Sequence, residues 1–199
     1  MKAFVYIHGK GGSAEEAEHY KPLFKDREVV GFDYRSQTPW EAKDEFSKYF
    51  DALESKFDSV VLAANSIGAF FAMNAGIDRM TEKAYFISPI ADMEKLICDM
   101  MKRAGVTERE LKAKNVIYTD SGEEISWEYL TYVREHPIKW NVPTKILYGS
   151  NDSLTSLDTI KEFAETHKAD LTVMNGGEHW FHTDEQMRFL DDWLTAENE

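Results

Sequence analysis

The chain has 199 residues, the size of one domain, and 43% of them are hydrophobic, ample for an ordinary core. Its formal net charge of −13 argues against the clustered Lys and Arg that bind nucleic-acid backbones and anionic membrane surfaces, so neither partner is expected. Cys98 is the only cysteine, which excludes an intrachain disulfide and a cysteine-based metal site.

The apolar run at residues 1–8 is too short for a signal peptide, and no long apolar segment follows, so a soluble cytoplasmic protein is expected. Residues 2–8 are rich in aromatic and β-branched side chains and alternate little, as a central parallel strand does. The strand ends in Gly9-Lys10-Gly11-Gly12-Ser13, and Ser13 is placed to cap a helix running from Ala14 toward Phe24. Val29, Val30 and Phe32 mark a second strand over 28–34. Trp40, Phe46, Tyr49, Phe50, Leu53 and Phe57 then recur at helical spacing, which predicts an amphipathic helix over 39–57. A third strand over 59–65 stops abruptly at Asn65-Ser66. The small residues Gly68, Ala69, Ala72, Ala75 and Gly76 that follow predict a closely packed helix. Residues 83–88 form a fourth strand, closed by Pro89.

The rhythm changes over 91–141. A helix over 92–103 is stopped by Gly105, Thr107 and Glu110 have the spacing of a capping box, and Ser126 opens a third helix that ends before Pro137. No strand fits there, so the segment is expected to be a helical insertion. Residues 144–149 restore the βα alternation as a fifth strand, with its helix over 154–167. A sixth strand spans 171–174, and after Gly176-Gly177-Glu178-His179 comes a last helix bearing Met187, Phe189, Leu190 and Trp193.

Strands alternating with helices imply a parallel sheet covered on both faces, with the reactive site beyond the carboxyl ends of its strands. Chemically capable residues stand at four of those ends: His8-Gly9, Ser66, Asp152 and His179. The pattern resembles the α/β-hydrolase superfamily over nearly the whole chain. It is carried by His8-Gly9-Lys10-Gly11-Gly12, Ala64-Asn65-Ser66-Ile67-Gly68, Tyr148-Gly149-Ser150-Asn151-Asp152 and Gly177-Glu178-His179-Trp180. The order Ser, Asp, His is that of the superfamily. The first glycine of the usual Gly-x-Ser-x-Gly elbow is here Ala64, and two leading antiparallel strands of the full fold are missing. The resemblance implies a minimal, mostly parallel six-stranded α/β/α sandwich of local strand order 2-1-3-4-5-6, a single domain over 1–199 with residues 91–141 as a helical cap.

The chemistry explains the residue types. A serine hydroxyl is a weak nucleophile until a neutral imidazole accepts its proton, and the imidazole needs a carboxylate to fix its tautomer. Ser66, His179 and Asp152 take these roles, and the resemblance assigns the oxyanion-hole N–H groups to Lys10 and Ile67. Structural readings compete with each. Ser66 has the type of a helix N-cap, and so has Asp152, although Ser153 or Thr155 can cap the 154–167 helix instead. His182, one turn into the expected last helix, rivals His179. His8 is read as a structural brace of the loop, while His19, His136 and His167 are expected at the surface. The Lys10 side chain is expected in solvent, and Cys98 to be buried. Trp127, Leu130 and Trp180 are candidates for a substrate pocket, with cap packing as the alternative for Trp127 and Leu130. The function expected is a serine hydrolase acting on a small carboxylic ester or thioester, with no cofactor or metal. An amidase or peptidase with the same triad, or a non-catalytic binding protein, are the alternatives.

Overall fold

The structure is a computed structural model that describes residues 1–120 and 122–196. In chain order its first elements are β1 (Lys2–Ile7), a 3₁₀-helix (Ala14–Tyr20), β2 (Glu28–Phe32), α1 (Pro39–Glu54), β3 (Ser59–Asn65), α2 (Ile67–Asn74) and β4 (Thr81–Ile87). Then follow α3 (Met93–Ala104), α4 (Glu108–Lys114), β5 (Val116–Tyr118), β6 (Glu124–Ser126) and α5 (Trp127–Glu135). The chain closes with β7 (Thr144–Gly149), α6 (Leu157–His167), β8 (Asp170–Met174) and α7 (Asp184–Thr195). By its contacts the chain divides into two units, Met1–Ala91 together with the chain from Lys139 onward, and Asp92–Ile138.

The larger unit holds a six-stranded sheet of order β2-β1-β3-β4-β7-β8, every neighbouring pair parallel. Counting its strands alone, this is the expected order. β1 is buried at every position after Lys2, which requires cover on both faces. Successive side chains supply it by pointing to opposite sides. Phe4 and Tyr6 join Tyr20, Phe24, Leu190 and Trp193 in one apolar cluster with the 3₁₀-helix and α7. On the other face Phe32 stacks edge-on against Phe46 and Phe50 of α1, and Phe46 meets Phe71 of α2. Phe46 and Phe50 are 0% and 2% exposed, each contributing about 2–3 kcal/mol by its burial. α1 starts where its capping box lies: Thr38 accepts from the Glu41 N–H, and the Glu41 carboxylate accepts from the Thr38 N–H. At Gly31 an added Cβ would lie 1.9 Å from the Ala14 carbonyl oxygen, so the 3₁₀-helix can begin directly over β2 only because that residue is glycine.

Several expectations are corrected here. The first helix is 3₁₀ and stops at Tyr20. α6 begins at Leu157 with Ser156 as its N-cap, so none of Asp152, Ser153 and Thr155 caps it. His182 precedes α7, whose N-cap is Thr183. The insertion closes at Ile138, before the expected 141, because Trp140 belongs to the larger unit: it packs on Phe86 and its indole N–H donates to Thr144 Oγ1 at 2.8 Å.

The smaller unit contains an antiparallel hairpin of β5 and β6, where no strand was expected. Its strands span only Val116–Tyr118 and Glu124–Ser126, too short to show a period of two. The capping signals of this unit hold. Gly105 ends α3 in the left-handed conformation at φ 66°, the Thr107–Glu110 box opens α4, and Ser126 caps α5, while Asp92, expected inside α3, is its N-cap. Arg134 of α5 reaches Glu94 of α3 and Glu108 of α4, each at 2.6 Å. Cys98, expected to be buried, is only partly so. Among the described residues no helix is long and apolar enough to cross a membrane.

Candidate active site

β3 delivers Ser66 into a backbone conformation that side chains avoid, φ 51° and ψ −119°. Neighbours on both sides hold it there. Its N–H donates to the Ile87 carbonyl at the end of β4 at 3.0 Å, and its carbonyl accepts from the Ile90 N–H at 3.2 Å. α2 starts at once with Ile67, whose N–H belongs to the first turn of the helix, where amides have no intrahelical acceptor. Gly68 permits this close approach: a Cβ there would lie 2.4 Å from the His8 carbonyl oxygen and 2.9 Å from Ile7 Cγ2. Ala64 occupies the site of the missing glycine. It is 0% exposed and pairs with Ile7 and Phe86 in the regular register, so its methyl is accommodated in the sheet.

The Ser66 hydroxyl does not cap α2. Its Oγ lies 2.8 Å from His179 Nε2, and His179 Nδ1 lies 2.6 Å from Asp152 Oδ2. With the carboxylate at Nδ1, the ring proton of the neutral imidazole sits there, and the lone pair of Nε2 faces the serine hydroxyl, which donates. The Asp152 side chain is 0% exposed and that of His179 17%, so the hydrogen bond between them is shielded from water on the acid's side. The other Asp152 oxygen accepts from the Leu154 and Thr155 N–H groups at 2.8 and 3.1 Å, which fixes the carboxylate plane. The two loops that carry these residues are joined through backbone. The Asn151 N–H donates to the Gly177 carbonyl at 2.8 Å, and a Cβ on Gly149 would lie 2.4 Å from Gly177. Thus the three residues singled out at separate strand ends meet in one hydrogen-bonded relay. His182 lies outside it, its Nδ1 on the Trp180 carbonyl at 2.8 Å.

The loop after β1 runs directly against this elbow. An added Cβ on Gly9 would lie 3.2 Å from Ser66 Cβ and 3.7 Å from Asn65 Cγ. The Gly9 carbonyl accepts from the Gly12 N–H at 3.1 Å and from His8 Nδ1 at 2.8 Å. Those two bonds fix the Gly9–Lys10 peptide plane, and in a trans peptide the Lys10 N–H then points to the opposite side. His8 is therefore the brace expected of it. Its ring stacks on Tyr34 at 4.3 Å, and the Tyr34 hydroxyl donates to the His8 carbonyl at 2.8 Å. The Lys10 side chain is exposed.

Of the three pocket candidates, Trp180 is 66% exposed and stacks on His182, with ring centroids 4.5 Å apart. Leu130 is 0% exposed, and the Trp127 ring carries the Lys112 ammonium 5.6 Å from its centroid. Among the remaining histidines, His19 meets Asp191 at 2.6 Å and His167 is partly buried on the Trp140 carbonyl. Two side chains without an assigned role in the sequence also bear on the loop. Glu16 accepts from the Ser13 N–H and from the Tyr6 hydroxyl. The Ser-x-x-Glu spacing of Ser13 and Glu16 is the signal for the first of these contacts.

No protein-family model matches the sequence, and no curated protein matches it. Solved structures do. Est1E from Butyrivibrio proteoclasticus is similar with a TM-score of 0.77 at 15% identity, covering 98% of this chain and 86% of its own. The mouse α/β hydrolase domain-containing protein 10 gives 0.73 at 17%, covering 99% and 90%. The monoacylglycerol lipase of Paleococcus ferrophilus gives 0.64 at 16%, covering 97% and 93%. With this likeness over almost its whole length, and the sheet order described above, the chain has the α/β-hydrolase fold.

Proposed function

We propose that this chain is a serine hydrolase that cleaves a carboxylic ester or thioester through an acyl-serine intermediate. The observation that carries the reading is the unbroken Ser66–His179–Asp152 relay, at 2.8 and 2.6 Å, beneath a serine in a strained elbow. Ser66 Oγ attacks the acyl carbon as its proton passes to His179 Nε2, and Asp152 stabilises the imidazolium that forms. The carbonyl oxygen becomes an oxyanion that the Lys10 and Ile67 N–H groups receive. Collapse of this adduct breaks the bond to the leaving group, which takes the proton from His179. Water then attacks the acyl-serine, loses its proton to His179, and the acid is released with Ser66 regenerated. The similarity to a monoacylglycerol lipase supports an ester as substrate.

The test is hydrolysis of p-nitrophenyl esters from acetate to decanoate. The wild type turns over at least one of them, and Ser66→Ala lowers kcat/KM by about 10³-fold or more. Ester cleavage that survives Ser66→Ala within about tenfold overturns the mechanism. Cleavage of the matching p-nitroanilides at comparable rates moves the reading to an amidase with the same relay.

A further inference from the structure

The loop that carries the Lys10 N–H has three glycines in its four residues, Gly9-Lys10-Gly11-Gly12. Such a backbone takes many conformations. Oxyanion stabilisation, by contrast, needs a donor held in place before the charge develops. The order has to come from outside the loop.

It comes through one phenol and one carboxylate. Tyr6 is 1% exposed, and its hydroxyl donates to Glu16 Oε2 at 2.5 Å. The other Glu16 oxygen accepts from the Ser13 N–H at 3.0 Å, at the far end of the loop. Tyr6 stands on β1 beside Ala63 of β3, the strand that ends at Asn65 immediately before Ser66. A Cβ on Gly12 would lie 2.6 Å from Glu16 Oε1, so glycine there leaves room for the carboxylate. A connected path thus runs from Ser13 through Glu16 to Tyr6 on β1, the strand paired with the one that delivers the nucleophile. Its central bond is partly buried, joining a buried phenol to a carboxyl group at the surface. Burial, then Tyr20, then the Glu16 carboxylate push the Tyr6 phenol well above its ordinary range, so the hydroxyl stays a donor.

We infer that Tyr6 and Glu16 are positioning residues that hold the loop against the Ser66 elbow and so place the Lys10 N–H for the oxyanion. The inference rests on the acyl-serine reading above and adds to it two side chains that touch neither substrate nor nucleophile. Tyr6→Phe tests it, because the ring and its packing stay and only the hydroxyl goes. The expected result is a fall in kcat for a p-nitrophenyl ester of about tenfold or more with KM changed less than about twofold. Amide exchange over residues 9–13 should accelerate by a similar factor, with the rest of the chain unchanged. Glu16→Ala gives the same pattern and stands in if Tyr6→Phe does not fold. The double variant is no worse than the poorer single by more than about twofold, since the two act as a unit. Single variants with unchanged kcat, or losses that multiply in the double variant, overturn the inference. A wild type without esterase activity overturns the acyl-serine reading instead. Exchange over 9–13 then decides the brace alone: faster in Tyr6→Phe supports it, unchanged refutes it.

Discussion

Ser66 sits at a backbone angle that costs on the order of 1–3 kcal/mol, and such strain persists only where surrounding contacts over-determine it. Here they are the two hydrogen bonds from the β4 end and the close passage of α2 over His8 at Gly68. Gly68→Ala is therefore expected to destabilise by about 2 kcal/mol or more, because the nearest atom is a backbone oxygen that cannot swing aside. Ala64→Gly, which restores the usual elbow, should cost about 0.5–1 kcal/mol in β3 and leave the rate within a few-fold. Denaturant midpoints and ester turnover of the two variants check both statements. Asp152→Asn is the sharper probe of the relay. The amide keeps an oxygen for the Leu154 and Thr155 N–H groups but turns an N–H donor toward His179 Nδ1, which favours the wrong tautomer. kcat should fall by about 10⁴-fold with the fold intact, as judged by circular dichroism. The relay was legible in sequence because each member ends a strand and the three types suit one reaction. The Tyr6–Glu16 contact was not, because a buried tyrosine in a central strand has the pattern of any core aromatic. Only the folded chain shows where its hydroxyl points.

At the scale of elements, the signals that held are those with a local chemical cause. The box at Thr107–Glu110 starts α4, and Gly105 ends α3 in a conformation only glycine takes cheaply. Open space surrounds Gly105, so Gly105→Ala carries backbone strain alone, about 1 kcal/mol, read as a lower denaturant midpoint. Glu41 has a thermodynamic signature of its own. The Gln37 N–H, then the Thr38 hydroxyl, hold its carboxyl below the ordinary range. A lowered folded-state value contributes stability above the unfolded-state titration, and that share is lost as pH falls through the folded one. The elements that were misread depend on contacts beyond their own residues. Val116-Ile117-Tyr118 is β-favouring, yet three residues display no period, and their partner lies across a turn. The start of α6 slipped to Leu157 because four candidate caps crowd 152–156, and tertiary contacts assign Asp152 to His179 instead.

For the molecule as a whole, the parallel sheet followed from the succession of βα units, and the order of its strands from the resemblance of the strand-end motifs. Parallel strands covered on both faces write their burial directly into the sequence as apolar runs, β1 and β3 most plainly. The 91–141 segment was recognised as a break in that rhythm, but its edge depends on Trp140, whose packing partners Phe86 and Thr144 are distant in sequence or belong to the next strand. Everything proposed about chemistry converges on one atom, Ser66 Oγ. The most direct measurement is reaction of the purified chain with a fluorophosphonate, followed by peptide mapping of the adduct. The account predicts stoichiometric modification at Ser66, abolished in Ser66→Ala and strongly slowed in His179→Ala. A folded wild type that stays unmodified, or is modified at another residue, contradicts it.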